Sequence, residues 1–101
     1  MHTITAIIRA KKGKEATMER ALLAVAAHVR KNEPDTVGFF VSKDLSDPCV
    51  FTTYERFTDQ AAVDRHNGSA AVAEFFGIAQ PILDGPVTLI TAAEISAKSE
   101  T

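Results

Sequence analysis

The segment from Val50 to His66 constrains the fold of this chain more than any other part of the sequence. It opens with eight residues, Val50 to Phe57, rich in β-branched and aromatic side chains, which predict a strand buried on both faces. Thr58 or Asp59 then provides the N-cap of a short helix that carries His66. The segment therefore predicts a strand that passes directly into a helix.

Side chains alternate between the two faces of a strand, so the segment also predicts which residues lie together. One face carries Phe51, Thr53, Glu55 and Phe57, and the other carries Val50, Thr52, Tyr54 and Arg56. Glu55 is a carboxylate on a face that is otherwise typical of a core. Because the helix follows at once, Glu55 and His66 are expected on the same side of the sheet.

The rest of the chain predicts a complete α+β domain around this segment. Strands are predicted at 2–9, 36–43, 50–57 and 87–95, with Gly38 marking a bulge in the second strand. A helix is predicted at 14–31, and the helix after the third strand is broken at Asn67-Gly68 and capped again by Ser69. This order is the ferredoxin-like β-α-β-β-α-β pattern, an antiparallel four-stranded sheet with helices on one face. We assign residues 1–96 to a single domain and residues 97–101 to a polar tail.

The helix-free face of this sheet is predicted to be too apolar for water. Val50, Thr52 and Tyr54 lie on it, and either alternate face of the fourth strand is also apolar. One layer of helices covers only one side of a sheet. A homodimer in which two such faces pack together would bury this surface.

The composition of the chain limits its possible binding partners and indicates a cellular compartment. The net charge is −2 and the basic residues are scattered, which argues against nucleic acid or an anionic membrane as partner. No apolar run approaches the roughly 18 residues of a membrane span, and no secretion signal is visible, so a cytoplasmic protein is expected. The single cysteine, Cys49, fits a reducing compartment. The three histidines, His2, His28 and His66, lack ligand spacing, so we expect no metal.

Several short motifs carry a resemblance to a known family. They are Gly13-Lys14-Glu15, Glu33-Pro34, Asp47-Pro48, the run Tyr54-Glu55-Arg56-Phe57, and His66 followed by Ser69. In these the chain resembles the antibiotic biosynthesis monooxygenase family over nearly its whole length. The resemblance implies a dimeric α+β barrel. Some relatives oxygenate polycyclic aromatic phenols with O2 and without metal or flavin, and others isomerise or degrade phosphorylated signalling sugars or degrade haem.

The resemblance also implies roles for individual residues. Glu55 matches the family's strand glutamate and His66 its helix histidine, so both are assigned as catalytic. The substrate-binding candidates are Phe51, Thr53, Tyr54, Phe57 and, from the apolar stripe of the last helix, Phe76. The chain departs from the family in having no tryptophan and no asparagine in its first strand, on which the haem-degrading and best-known quinone-forming relatives rely.

The chemistry of the pair leaves three functions open. Oxygenation without a cofactor requires a base that converts a small aromatic or enolisable substrate into an electron-rich anion in a dry cavity, where it meets O2. Either Glu55 or His66 could be that base. The same pair would serve an isomerase or a degrading enzyme for a small signalling metabolite. The third possibility is a non-catalytic dimeric module that binds a small ligand.

Overall fold

The structure, a computed structural model, describes residues 1–98 and has the predicted element order. The strands are β1 (His2–Arg9), β2 (Thr36–Lys43), β3 (Val50–Phe57) and β4 (Thr88–Ala93). The helices are α1 (Glu15–Asn32), α2 (Gln60–Asn67) and α3 (Ala70–Ala79), and a 3₁₀ turn, Gln80–Ile82, follows α3. The four strands form one antiparallel sheet in the order β2-β3-β1-β4, which confirms the ferredoxin-like fold.

The ends of α2 and α3 are fixed by side-chain caps. Asp59 accepts a hydrogen bond from the backbone N–H of Ala62 at 2.9 Å, so Asp59 rather than Thr58 is the N-cap of α2. Ser69 accepts one from the N–H of Val72 at 3.2 Å and caps α3. Because only Thr58 separates Asp59 from the end of β3, the cap fixes the point at which α2 begins after the strand.

The main core lies between the sheet and the helices α1 and α3. It contains Ala6, Ile8, Met18, Leu22, Val25, Val29, Phe51, Phe75 and Ala79. A smaller cluster beneath α2 contains Ile4, Phe57, Ala62 and Val63. All the strand residues of both clusters belong to the face that the alternation of β1 and β3 assigns to the helices.

The helix-free face carries an exposed apolar row that crosses the whole sheet. Phe40 pairs with Tyr54, Tyr54 with Thr5, and Thr5 with Ile90. Phe40 is 58% exposed, Tyr54 41% and Ile90 55%, and the rings of Phe40 and Tyr54 stack at 6.3 Å. The expectation that β3 is buried on both faces is therefore wrong for the single chain, because its second face has nothing packed on it.

The C-terminal part departs slightly from the prediction. The fourth strand begins one residue later and ends two residues sooner than expected, and Ile95, assigned to it from the sequence, lies beyond it and is fully exposed. Residues 97 and 98 of the predicted tail have no secondary structure, and residues 99–101 lie outside the described residues. Within residues 1–98, no helix has both the length and the apolar character that crossing a membrane requires.

Candidate functional site

A cavity of about 210 Å³ lies between the helix side of the sheet and the helices. Eleven of its fifteen lining residues are apolar, and they come from β1, α1, β2, α3, β4 and the residue before β4. The polar lining residues are Thr53, Glu55, His66 and Asn67. The exposed side chains of Phe76 and Leu89 lie among the lining residues and mark the open side, between α3 and the edge strand β4. The cavity is thus apolar with one polar end.

The sheet register places Thr53 and Glu55 at this polar end. Thr53 pairs with Ala6 of β1, and Glu55 pairs with Ile4, both on the helix side of the sheet. Glu55 is 6% exposed and Thr53 only 3%. The hydroxyl of Thr53 donates to Oε2 of Glu55 at 2.7 Å. This hydrogen bond replaces one that the carboxylate oxygen would make with water if Glu55 were exposed.

His66 lies on the last turn of α2 and contacts Glu55 directly. Its Nε2 is 3.3 Å from Oε1 of Glu55, and the residue is 4% exposed. The imidazole lies between the rings of Phe39 and Phe57, with centroid distances of 5.6 and 5.4 Å. Both rings are tilted against the imidazole, by 52° and 53°, and their packing helps to keep water away from it.

Glu33 contacts the other nitrogen of His66, and this contact was not predicted from the sequence. Its Oε1 lies 2.8 Å from Nδ1 of His66 and also accepts a hydrogen bond from the hydroxyl of Thr36 at 2.8 Å. From the sequence, no functional role was assigned to Glu33. The one signal that pointed to it was the Glu33-Pro34 pair, which belongs to the motifs shared with the family.

A second histidine lies beyond Glu33. Nε2 of His28 is 3.0 Å from Oε2 of Glu33. This oxygen is buried and has no partner within hydrogen-bond geometry, so we regard the His28 contact as an electrostatic one with a poorly aligned N–H direction. Nδ1 of His28 is 3.3 Å from the side-chain amide of Asn32. The side chain of His28 is 28% exposed and reaches the surface.

The two carboxylates control the charge of His66. Burial disfavours a positive charge on the imidazole, but the hydrogen bonds and negative charges of Glu55 and Glu33 outweigh it and raise the pKa of His66 above its ordinary value. The raised pKa favours the imidazolium, in which both ring nitrogens donate. A doubly donating ring has no free lone pair, whereas Glu55 keeps unused lone pairs at the cavity.

The structure places the predicted site residues in three different environments. Glu55, His66, Thr53 and Phe76 line the cavity. Phe51 and Phe57 are almost fully buried and are not lining residues, and Phe57 instead packs on the His66 ring. Tyr54 lies on the opposite side of the sheet, because the alternation that brings Glu55 to the helices turns Tyr54 away from them.

The ionisable residues do not converge on a point. Within residues 1–98, no group of three or more His, Cys, Asp and Glu side chains is arranged to hold a metal ion. Glu55, His66, Glu33 and His28 instead lie one after another, each in contact with the next. Such an arrangement suits proton transfer better than ion binding.

Comparison with known proteins agrees with the fold. The family model described as antibiotic biosynthesis monooxygenase matches residues 1–77. A crystal structure of an antibiotic biosynthesis monooxygenase superposes with a TM-score of 0.87 at 18% identity, over 95% of this chain and 100% of that one. The protein PA3566 from Pseudomonas aeruginosa gives 0.85 at 25% identity, over 94% of each chain. Rv0793 from Mycobacterium tuberculosis gives 0.89 at 17%, over 97% and 98%. No curated protein matches significantly.

Proposed function

The chain belongs to the antibiotic biosynthesis monooxygenase family, and from this premise we propose that the cavity is the active site of a cofactor-independent monooxygenase. Its substrate would be a small, neutral, aromatic or enolisable molecule, and O2 would be the co-substrate. Glu55 and His66 would transfer the proton. The observation that carries the proposal is the buried carboxylate–imidazole pair at the polar end of an otherwise apolar cavity.

The geometry favours Glu55 as the base. His66 contacts a carboxylate through each ring nitrogen, so the imidazolium is occupied as a donor on both sides. Glu55 accepts from Thr53 and contacts His66, and a carboxylate has further lone pairs for a substrate hydroxyl. In this assignment His66 positions Glu55 and balances its charge. The contacts thus support Glu55 over His66 as the base, a choice that the sequence left open.

The proposed reaction balances without an external reductant. Glu55 takes the hydroxyl proton of a phenol, and the resulting anion reacts with O2 at a ring carbon to form a hydroperoxide, which takes up the proton from Glu55. Loss of water from the hydroperoxide leaves a quinone. One oxygen atom enters the product and the other leaves as water, so the four electrons that reduce O2 all come from the substrate.

The size and charge of the cavity narrow the substrate class. A dry cavity of roughly 150 Å³ holds benzene, so about 210 Å³ accommodates a somewhat larger molecule of one or two rings. The lining contains no lysine or arginine. An anionic group such as a phosphate would therefore meet Glu55 without a compensating cation. This favours a neutral phenol or hydroquinone over the phosphorylated sugars considered from the sequence.

We further propose that the protein is a homodimer that buries the helix-free face. The exposed row of Phe40, Tyr54 and Ile90 is continuous across the sheet, and Ile7, 44% exposed, extends it. Contact between two such faces would bury more than roughly 1,000 Å², the size of a stable interface. The single cysteine, Cys49, is consistent with a cytoplasmic location, which we also propose.

An oxygen-uptake screen of phenols and hydroquinones, with and without a chelator, tests the proposed reaction. For an active compound, Glu55→Gln should lower the rate by roughly 10²–10⁴-fold, because the base is lost and its shape is kept. Glu74→Gln makes the same change on an exposed position of α3 and should leave the rate unaltered.

Three outcomes would contradict the proposal. An unaltered rate in Glu55→Gln would remove Glu55 from the chemistry. Saturable binding of phenols without oxygen uptake would favour the binding module, and turnover of an enolisable compound without oxygen uptake would favour the isomerase.

A further inference from the structure

The cavity is connected to the opposite surface of the domain by a row of four ionisable side chains. From the cavity outward these are Glu55, His66, Glu33 and His28, with successive contacts of 3.3, 2.8 and 3.0 Å. The outer end opens into a surface depression whose lining includes both outer members of the row, Glu33 and His28, together with Asn32, Asp35 and Arg65. The proposed reaction uses only the first two members of the row, so Glu33 and His28 still require an explanation.

The needs of the fold alone do not explain why a glutamate is buried at position 33. Its side chain is 11% exposed, and its Oε2 has no solvent contact and no well-aligned hydrogen bond. Leaving a charged oxygen in this state costs free energy, and such atoms in native proteins call for a functional or structural reason. The nearest polar group on the outer side is Nε2 of His28, at 3.0 Å.

We propose that Glu33 and His28 form a proton path that connects the Glu55–His66 pair with solvent on the side away from the cavity mouth. This inference rests on the proposed function in one respect, since the pair at its inner end is the proposed proton-transfer site. Glu33 and His28 would not touch the substrate. They would act through His66, as positioning and relay residues.

Each step of the path moves one proton between neighbouring atoms. The Nδ1 proton of His66 passes to Oε1 of Glu33, which leaves a neutral imidazole with its proton on Nε2. Rotation of the protonated carboxyl group about its Cγ–Cδ bond then brings the proton to Nε2 of His28. A neutral His28 whose proton is on Nδ1 accepts this proton at Nε2 and releases the Nδ1 proton to water at the surface, where its side chain is 28% exposed. The reverse sequence recharges His66.

The path has a use because the inner end of the cavity is cut off from water when a ligand is bound. An apolar molecule that fills the cavity would displace water from the space beside Glu55, and the rings of Phe39 and Phe57 pack on the imidazole. Among the residues that the structure describes, Glu33 then offers His66 a second connection towards solvent. The depression outside His28 keeps this route open whatever occupies the cavity.

The rate at which the His66 imidazole protons exchange with water tests the path without any turnover, when an unreactive apolar molecule such as benzene fills the cavity. It can be measured by nitrogen-15 NMR on the full chain in the native state. His28→Leu blocks the outer end, and exchange in it should slow by about tenfold or more, because local opening of the domain is the remaining route. His28→Gln keeps a polar partner for Glu33 but cannot pass on a proton, so it should slow exchange equally. Arg65→Gln changes the same depression outside the path and should exchange at the wild-type rate.

Each other result overturns the path. Wild-type exchange in both His28 variants would show that protons leave by another route. Slow exchange in His28→Leu with a normal rate in His28→Gln would show that His28 only holds Glu33 in place. Slow exchange in Arg65→Gln as well would indicate an effect of surface charge. A failed oxygen-uptake screen would contradict the proposed function but would leave the exchange rates, and this inference, unaffected.

Discussion

Replacing His66 by glutamine should change the pH dependence of the free energy of unfolding. In the folded chain the imidazole is buried between Glu55 on β3 and Glu33 after α1, and the other side chains that face it, Phe39 and Phe57, are uncharged. Glutamine fills a similar volume and can donate hydrogen bonds, but it carries no charge. The substitution therefore removes the ion pairs while it keeps most of the packing.

The sign of the effect follows from the raised pKa of His66. Folding takes up a proton at any pH between the unfolded pKa, about 6.5, and the higher folded value. The stabilisation is thus fully present below about pH 6.5 and is lost as the pH rises through the folded pKa, by up to about 1.4 kcal/mol per pH unit. At about pH 6 the variant should be less stable by about 3–5 kcal/mol, the cost of removing one partner from a buried charge cluster.

Urea denaturation from about pH 6 to pH 8.5 measures the difference in the free energy of unfolding between wild type and variant. The protein concentration must be kept constant, because the stability of a dimer depends on concentration. The gap between wild type and His66→Gln should narrow as the pH rises. His2→Gln is the matched control, since it removes a histidine at the start of the inner strand β1 that lies outside the cluster. Parallel stability curves for wild type and His66→Gln would refute the argument that the carboxylates hold a proton on this ring.

Three further predictions concern Thr53, Asp59 and the helix-free face. Thr53→Val removes the donor to Glu55 Oε2 and should cost about 1–3 kcal/mol in urea denaturation, whereas Thr52→Val on the other face should cost little. Asp59→Ala should cost about 1 kcal/mol through loss of the α2 cap, and an equal loss in Thr58→Ala would contradict the cap assignment. Ile90→Glu should give monomers in sedimentation, whereas Ile78→Glu, the same change on the helix side, should leave the dimer intact. A wild-type protein that is itself monomeric at micromolar concentration would contradict the dimer.

Local sequence patterns predicted most of the fold. β1, β2 and β3 have the predicted bounds, because their β-branched and aromatic runs end at clear turn residues. Gly38 does mark an irregularity in the pairing of β2 with β3. The alternation of β3 also placed Glu55 on the helix side and Tyr54 on the other. These features depend on neighbours within a few residues, so the sequence contains the information directly.

The composition of the site depended on long-range packing and was predicted only in part. Glu33 and His66 are separated by 33 positions, and no local pattern indicates that the turn after α1 packs on the last turn of α2. Phe75 and Phe76 both fit the apolar stripe of α3, yet Phe75 is 7% exposed and Phe76 48%. A helical stripe is wide enough to include both residues. The position of α3 against the sheet decides that Phe75 is buried while Phe76 lies at the cavity mouth.

The charges of the cluster relate the fold to the proposed chemistry. With His66 as imidazolium and both Glu33 and Glu55 ionised, these three residues have a net charge of −1, which opposes an anionic ligand at the polar end of the cavity. When Glu55 takes a proton from a neutral substrate, their net charge becomes zero and the substrate becomes the anion. The same residues that exclude an anionic substrate therefore do not repel the anionic intermediate. In the proposed reaction Glu33 would support this, because its carboxylate helps to raise the pKa of His66 and so favours the imidazolium beside Glu55.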